Sequence, residues 1–243
     1  MSNYILQVND ATKKFSGLMA NEGITFDVGV GEILGLVGPN GAGKTTLFNS
    51  LSGVHQLTRG TITFDGQDIT KLNSHQICKL GIGRTFQIPQ AIVTLSVEEN
   101  VLIGALCHTN NMKVARKHAH ETIEFCGLAA LADKPAAILN VAQKKRLEIA
   151  RAYATDPKLL LLDETMAGLT ATERVESIQL IREINNQGVS IVMIEHNMDV
   201  VMSVSNRVLV LDAGKVLALG SPEEVTSNEA VINAYLGGGK KDA

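Results

Sequence analysis

The sequence has little of what disulfide-stabilised, secreted or membrane-spanning chains need. It contains three cysteines, Cys78, Cys107 and Cys126, without C-x-x-C spacing. An odd number in this arrangement argues against a disulfide scaffold or a zinc site and predicts small buried side chains in a reducing compartment. The N-terminus has no basic start followed by an apolar run, which argues against a secretory signal. Apolar runs such as Leu159–Leu162 stop far short of the ~18 residues that a membrane span requires, so we expect a soluble chain.

An excess of basic charge is also lacking. The 22 Lys and Arg residues face 25 Asp and Glu residues, for a net charge of −3. This balance gives no general attraction for nucleic acid, and we expect no nucleic-acid partner. The chain of 243 residues is 45% hydrophobic and 19% charged, which is enough apolar material for one large domain with a subdomain and excludes a disordered chain.

The pattern of apolar residues predicts an α/β fold with a helical insertion. Short strands precede a glycine-rich loop, helical spacing dominates from about 96 to 154, and apolar strands alternate with helices after Pro157. Alternation of this kind predicts a mainly parallel sheet covered on both faces, and a turn at 213–214 predicts an antiparallel hairpin. We therefore expect a P-loop NTPase core with an antiparallel β subdomain. It would comprise residues 1–87 and 157–243, and a helical subdomain would comprise 88–156.

The strongest motif lies between an apolar strand and a predicted helix. It fits G-x-x-x-x-G-K-[ST] and reads Gly38-Pro39-Asn40-Gly41-Ala42-Gly43-Lys44-Thr45, with Thr46 directly after. Glycines let backbone N–H groups surround phosphate oxygens, and a helix N-terminus adds positive potential. Lys44 would reach the β- and γ-phosphates, and the Thr45 hydroxyl would bind Mg²⁺. The motif predicts that the chain binds a nucleoside triphosphate.

Two acids follow the most apolar strand. Asp163 and Glu164 come directly after Leu159–Leu162. Parallel strands present such residues at the carboxyl edge of the sheet, where ligands bind. We expect Asp163 to hold Mg²⁺, directly or through water, and Glu164 to orient or deprotonate the attacking water.

Two further polar residues are predicted to end strands. Gln87 closes Gly83–Gln87 just before the helical insertion, where its amide could contact both Mg²⁺ and the attacking water. His196 follows the apolar run Ile191–Ile194 and could hydrogen-bond the γ-phosphate.

In this order and spacing, the motifs resemble those of the ATP-binding subunits of ABC transporters. A closer resemblance, to the ATPases for uptake of branched-chain and other hydrophobic amino acids, rests on 80–87, 146–152, 195–201 and the ending 231–237. The resemblance implies that Phe15 stacks on adenine and that ATP and Mg²⁺ are the cofactors. It also implies two membrane-spanning permease subunits, an extracytoplasmic solute-binding protein, and a peripheral place on the cytoplasmic face of the inner membrane.

The sequence departs from this family at the signature L-S-G-G-Q, where it reads Leu139-Asn140-Val141-Ala142-Gln143. In such ATPases two subunits pair head to tail, and the signature of one faces the phosphate loop of the other. We expect Val141 and Ala142 to add bulk and to disfavour any positive-φ geometry. Because this weakens only the site on the partner's phosphate loop, we predict a heterodimer with a second ATPase subunit. Thr165 stands where proline is common, and Thr170 where Asp is usual.

The sequence is also compatible with other functions of such a fold. The alternatives are an exporter ATPase for lipid or lipopolysaccharide, a soluble ABC-type ATPase of DNA repair or translation, and a regulatory subunit that binds ATP without hydrolysing it. The soluble ATPases usually carry coiled coils, zinc insertions or two fused cassettes, which this sequence lacks. The presence of Glu164 and His196 argues against the regulatory subunit.

Overall fold

The computed structural model describes residues 3–87 and 90–237, with side chains described up to 234. Ile88, where the predicted helical subdomain begins, lies outside this range. The strands are β1 (Tyr4–Phe15), β2 (Leu18–Gly29), β3 (Ile33–Val37), β4 (Arg59–Phe64), β5 (Gln67–Asp68), β6 (Ile82–Arg84), β7 (Leu159–Asp163), β8 (Ser190–Ile194), β9 (Arg207–Asp212) and β10 (Lys215–Gly220). The helices are α1 (Lys44–Leu51), α2 (Ser74–Leu80), α3 (Val97–Ala105), α4 (Met112–Phe125), α5 (Val141–Tyr153), α6 (Ala171–Asn186), α7 (Met198–Val204), α8 (Pro222–Thr226) and α9 (Glu229–Gly237).

The chain divides into two compact units. The first comprises Met1–Ile77 and Ser190–Ala243, and the second comprises Cys78–Val189. The second unit contains β6, β7 and α6 as well as the helices α3 to α5. Division by compactness thus differs from the predicted division at 88 and 157, which separates the chain by type of secondary structure.

The first unit contains an antiparallel sheet and a mainly parallel group of strands. The antiparallel sheet has the order β2-β1-β4-β5. In the second group β3 lies between β8 and β9 and is parallel to both, and β10 pairs antiparallel with β9. Strands β3 and β8 are buried at every position, which is why they read as continuous apolar runs. The valines of β9 pack with those of α7, α8 and α9 in one core cluster.

The second unit combines a parallel strand pair with helices. Strand β6 pairs in parallel with β7, whose five residues are all buried. Helix α3 packs against α4 and α5. Together the two units confirm the predicted α/β class with a mainly parallel sheet, an antiparallel sheet and helices.

Reciprocal capping fixes where several helices begin. In a capping box, the side chain of the N-cap residue and that of the third helical residue each accept a backbone N–H. Among the described residues five helices have one, formed by Asn73 with Gln76, Ser96 with Glu99, Asn140 with Gln143, Thr170 with Glu173, and Ser221 with Glu224. Within residues 3–87 and 90–237 no helix is long and apolar enough to cross a membrane.

The cysteines differ in part from the prediction of small buried side chains. Cys126 is buried, but Cys78 and Cys107 are half-buried, and their sulfur atoms lie 3.7 Å apart. Cys78 lies within α2, and Cys107 lies two residues after the end of α3. Their proximity arises from tertiary packing, which spacing along the chain does not reveal.

Candidate functional site: a phosphate loop and a carboxylate pair

The glycine-rich loop connects β3 to α1 in the first unit. Gly43 is the N-cap of α1, with φ of 95°. A Cβ atom built there would lie 2.4 Å from both the Ala20 carbonyl oxygen and Asn21 Nδ2. Glycine is therefore required by close approach as well as by its conformation. Because the N-cap residue has no side chain, nothing of its own covers the first N–H groups of α1, which have no acceptor within the helix.

Hydrogen bonds from neighbouring residues hold the backbone of this loop. Asn21 Nδ2 donates to the Gly43 carbonyl at 3.1 Å. The Gly214 N–H, in the turn between β9 and β10, donates to the Ala42 carbonyl at 3.1 Å, and the Ala42 N–H donates to the Pro39 carbonyl at 3.2 Å. The loop is thus tied to β2 and to the β9–β10 turn.

The side chain of Lys44, predicted to bind phosphate, is buried within the glycine-rich loop. Only 7% of the residue is exposed, and its Nζ donates to the carbonyl oxygens of Gly38 at 2.6 Å and Pro39 at 3.0 Å. The ammonium group is therefore held where the loop closes around it. Thr45 is exposed and Thr46 is half-buried, both in the first turn of α1. This placement agrees with a loop that binds phosphate and presents a hydroxyl to a cation.

The aromatic residue predicted to contact adenine ends β1. Phe15 is 37% exposed, and Lys13 Nζ lies 4.8 Å from its ring centroid. The His55 ring stands edge-on to the Phe15 ring, with centroids 5.1 Å apart and planes at 77°. Phe15 is thus a braced surface ring and not the core aromatic that such a residue usually is.

His196 lies two residues after β8 and is exposed, while its neighbour Glu195 is buried. Helix α7 begins two residues later, and Asn197 caps it by accepting the Val200 N–H. His196 therefore sits in the short connection between a buried strand and a helix, as predicted.

In the second unit the metal-binding candidate Asp163 is the last residue of β7 and only 2% exposed. Arg84 Nη2 lies 3.2 Å from Asp163 Oδ2, and the Asp163 N–H donates to Thr85 Oγ1 at 3.0 Å. Burial lowers the pKa of the Arg84 guanidinium, and the attraction of Asp163 opposes this shift. The buried ion pair fixes the direction of the Asp163 carboxyl group.

Glu164 and Gln87, which are both predicted to contact the attacking water, form a direct hydrogen bond in the second unit. Gln87 Nε2 donates to Glu164 Oε2 at 2.8 Å. The expectation that Gln87 ends a strand was wrong, since β6 ends at Arg84 and Gln87 lies three residues further on. Release from the strand leaves the side chain exposed and able to reach the carboxylate.

Sequence reasoning missed two residues that contact this acidic pair. One is Arg84, which lies in the segment 80–87 that carries the family resemblance but was given no role. The other is Lys145 on α5, only 8% exposed, whose Nζ donates to the Glu164 carbonyl at 2.6 Å. Nothing in the local sequence distinguishes this lysine from an exposed one.

The altered signature begins a regular helix. Asn140 is the N-cap of α5, where its Oδ1 accepts the Gln143 N–H at 2.8 Å. Val141 and Ala142 are the first helical residues, and neither has a positive φ. The absence of a positive φ at these two residues agrees with the expectation that they disfavour it. Val141 is 56% exposed, and the effect of its bulk on a partner's phosphate stays a prediction.

Thr170, in the usual Asp position, caps α6. Its hydroxyl accepts the Glu173 N–H, while Glu173 Oε2 accepts from both the N–H and the hydroxyl of Thr170. These bonds, the backbone bond foremost, lower the pKa of Glu173. Threonine thus provides the same capping function that aspartate would.

The residues present fit ATP and Mg²⁺. The first unit supplies a lysine, glycine-spaced backbone N–H groups and a hydroxyl. The second supplies the carboxyl group of Asp163 and the amide of Gln87. Hydroxyl, carboxylate and amide oxygens are the hard donors that Mg²⁺ prefers.

Comparison with known proteins identifies the family. A profile described as ABC transporter matches residues 21–167, and one described as branched-chain amino acid ATP-binding cassette transporter matches 215–241. The chain is 38% identical to BraF of Pseudomonas aeruginosa and to LivG of Escherichia coli, both high-affinity branched-chain amino acid transport ATP-binding proteins. Each alignment covers 98% of this chain and 99% of the relative.

Solved structures and a further relative agree with this family. The ADP conformation of MJ1267, an ATP-binding cassette of an ABC transporter, has a TM-score of 0.88 and 30% identity, covering 97% of this chain and 100% of that one. LptB of Haemophilus influenzae, a lipopolysaccharide export system ATP-binding protein, is 33% identical over 96% of this chain and 97% of its own length. The protein with this phosphate loop and carboxylate pair is a member of the ABC transporter family of ATP-binding subunits, which are ATPases.

Proposed function

We propose that this chain hydrolyses ATP to energise an ABC importer for branched-chain or other hydrophobic amino acids. The observation that carries the proposal is full-length similarity, at 38% identity, to two proteins named for branched-chain amino acid transport. The separate match of residues 215–241 to the branched-chain profile supports it at the end of the chain.

The proposal assigns a role to each part of the site. Lys44 and the backbone N–H groups of 38–46 bind the triphosphate, and Phe15 stacks on the adenine ring. Thr45, Asp163 and Gln87 hold Mg²⁺, which when bound neutralises charge on the phosphate oxygens. Glu164 orients the attacking water and accepts its proton, and His196 donates a hydrogen bond to the terminal phosphate.

We assign the two predicted parts of the chain to separate tasks. Residues 1–87 and 157–243 form the nucleotide-binding core, and 88–156 form a helical subdomain that contacts a permease. Two permease subunits and an extracytoplasmic solute-binding protein complete the assembly. This chain would then be peripheral, on the cytoplasmic face of the membrane.

The second ATPase subunit is proposed to be a different chain. Asn140 already uses its Oδ1 to cap its own helix, and an exposed valine follows it. A glycine-poor signature of this kind approaches a partner's phosphate less closely than serine followed by two glycines. A partner with an intact signature would restore one good site, which this chain builds with Lys44, Asp163, Glu164 and His196.

A second candidate is an exporter ATPase, favoured by the 33% identity to a lipopolysaccharide export protein. Leucine uptake by proteoliposomes that contain the transporter purified through a tag on this chain separates the two. Solute-receptor-dependent uptake supports import, and ATPase activity that responds to lipopolysaccharide but not to a receptor supports export.

The catalytic assignment is tested in the same preparation with Glu164→Gln. We expect ATP binding to persist while turnover falls on the order of 10²-fold or more, because the water loses its base. Glu124→Gln, on the exposed face of α4, is the matched control. Turnover of Glu164→Gln within a few-fold of the parent would refute the role of Glu164. Robust activity of this chain without its partner would refute the heterodimer.

A further inference from the structure

Lys145 is buried beside the catalytic candidate. It lies in the second turn of α5 and is 8% exposed. Burial of an ammonium group is costly unless hydrogen bonds replace water. Here Nζ donates to the Glu164 main-chain carbonyl at 2.6 Å, an ionic hydrogen bond of short length. The lysine thus contacts the backbone of the residue whose side chain is proposed to activate water.

The backbone at Glu164 needs such support. Its φ is 49°, in the left-handed region that residues other than glycine rarely adopt. Conformations of this kind persist only where surrounding groups hold them. Groups of the second unit do so: Lys145 Nζ and, at 3.4 Å, the Ala167 N–H donate to the carbonyl, and Gln87 Nε2 donates to the carboxylate at 2.8 Å. The position of the carboxylate therefore depends on these contacts.

The same helix also holds the chain that follows Gln87. Arg151 Nη1 donates to the Gln90 carbonyl at 2.6 Å and to Glu148 Oε1 at 2.8 Å. Glu148 is 5% exposed and also bonds the backbone of Gln90. Helix α5 therefore contacts the main chain of Glu164 through Lys145, and the segment beyond Gln87 through Glu148 and Arg151.

We propose that Lys145 is a positioning residue for ATP hydrolysis, which holds the Glu164 main chain so that its carboxylate faces the attacking water. Because α5 begins at the altered signature and is capped there by Asn140, any displacement of this helix moves Lys145 and with it Glu164. The inference rests on the proposed function of Glu164. It adds to that function a connection, within one chain, from the signature helix to the catalytic carboxylate.

The test replaces Lys145 in the complete transporter. Lys145→Met removes the charge and keeps an unbranched side chain, Lys145→Arg keeps a cationic donor, and Lys145→Gln keeps a neutral donor. Lys144→Met is the matched control, because Lys144 is half-buried on the same helix and its side chain makes no hydrogen bond or ion pair within the described residues. Steady-state kinetics give kcat and KM for ATP, and hydrogen exchange reports the amides of 163–167.

We expect Lys145→Met to lower kcat roughly tenfold to a hundredfold, with KM changed by less than about twofold, as for a misplaced catalytic group. Amides of 163–167 should exchange faster, Lys145→Arg should recover most of kcat, and Lys144→Met should match the parent. Parental kcat in Lys145→Met, or equal losses in Lys145→Met and Lys145→Arg, would overturn the inference. If Lys145→Met does not fold, parental kcat and exchange in Lys145→Gln would overturn it. Glu164→Gln separates the hypotheses, since its normal turnover would overturn the proposed function itself.

Discussion

Arg84 and Asp163 form an ion pair that is almost completely withdrawn from water. Their closest atoms, Nη2 and Oδ2, are 3.2 Å apart, and their side chains are 9% and 3% exposed. A buried pair of this kind contributes little net stability over apolar residues, but loss of one partner leaves an uncompensated charge. Loss of Arg84 would therefore leave the Asp163 carboxyl group buried without its cation.

Arg84→Gln is expected to lower the free energy of unfolding by about 3 kcal/mol, because the Asp163 carboxylate is left buried without its cation. Urea unfolding without nucleotide measures this loss. Arg59→Gln is the control, because its ion pair with Asp10 is exposed and should cost less than about 1 kcal/mol. The double variant with Asp163→Asn should lose less than the sum of the single changes, and strict additivity would contradict the coupling.

Lys44→Ala is expected to weaken ATP binding by roughly tenfold to a hundredfold, the value of one or two hydrogen bonds to a charged group. Isothermal calorimetry with ATP and Mg²⁺ measures the affinity. Lys71→Ala, at an exposed position, is the control. Since Lys44 also binds the Gly38 and Pro39 carbonyls, urea unfolding of both variants separates lost binding from lost folding. Unaltered affinity would contradict the phosphate-loop assignment.

Two glycines of the loop make a matched pair. Gly43 and Gly41 both have positive φ, 95° and 82°, but a Cβ atom clashes only at Gly43, with nothing within 4 Å at Gly41. Gly41→Ala should therefore cost about 1 kcal/mol of backbone strain. Gly43→Ala should cost at least about 2 kcal/mol, because strain and displacement of Asn21 add. Urea unfolding measures the loss of stability in each variant. Equal losses in Gly41→Ala and Gly43→Ala would contradict the predicted cost of the clash.

Cys126 is expected to make the free energy of unfolding depend on pH in the alkaline range. Burial raises the pKa of its thiol to about 12, against ~8.5 in an unfolded chain. Above pH ~8.5 the unfolded state therefore binds fewer protons than the folded state, and stability falls as pH rises towards 12. Between pH 8 and 10 the parent should lose about 2 kcal/mol more than Cys126→Ala. Urea unfolding at both values measures this, and parallel pH profiles would contradict it.

Elements with strong local signals were predictable from the sequence. Strand β8 coincides with the apolar run at 191–194, which is one of the strands predicted after Pro157. Helix α5 lies within the segment 96–154, whose spacing predicts helices. The pair Asn140 and Gln143, at its start, has the residue types of a capping box.

Contacts made by tertiary packing were not predictable in the same way. The bond of Gln87 to Glu164 joins residues 77 apart in the chain, and the sequence predicts that both act on the attacking water but not that they contact each other. Nothing in local sequence indicates that Lys145 reaches Glu164 or that Arg84 reaches Asp163. A lone lysine or arginine near an apolar segment is usually an exposed residue.

The ties around the phosphate loop have a consequence for the kinetics of nucleotide exchange. Bonds from Asn21 and Gly214 hold the backbone carbonyls of Gly43 and Ala42. An incoming triphosphate therefore does not lose affinity to the ordering of this part of the loop. We expect the association rate of ATP to be limited by diffusion and not by rearrangement of the Ala42–Gly43 backbone.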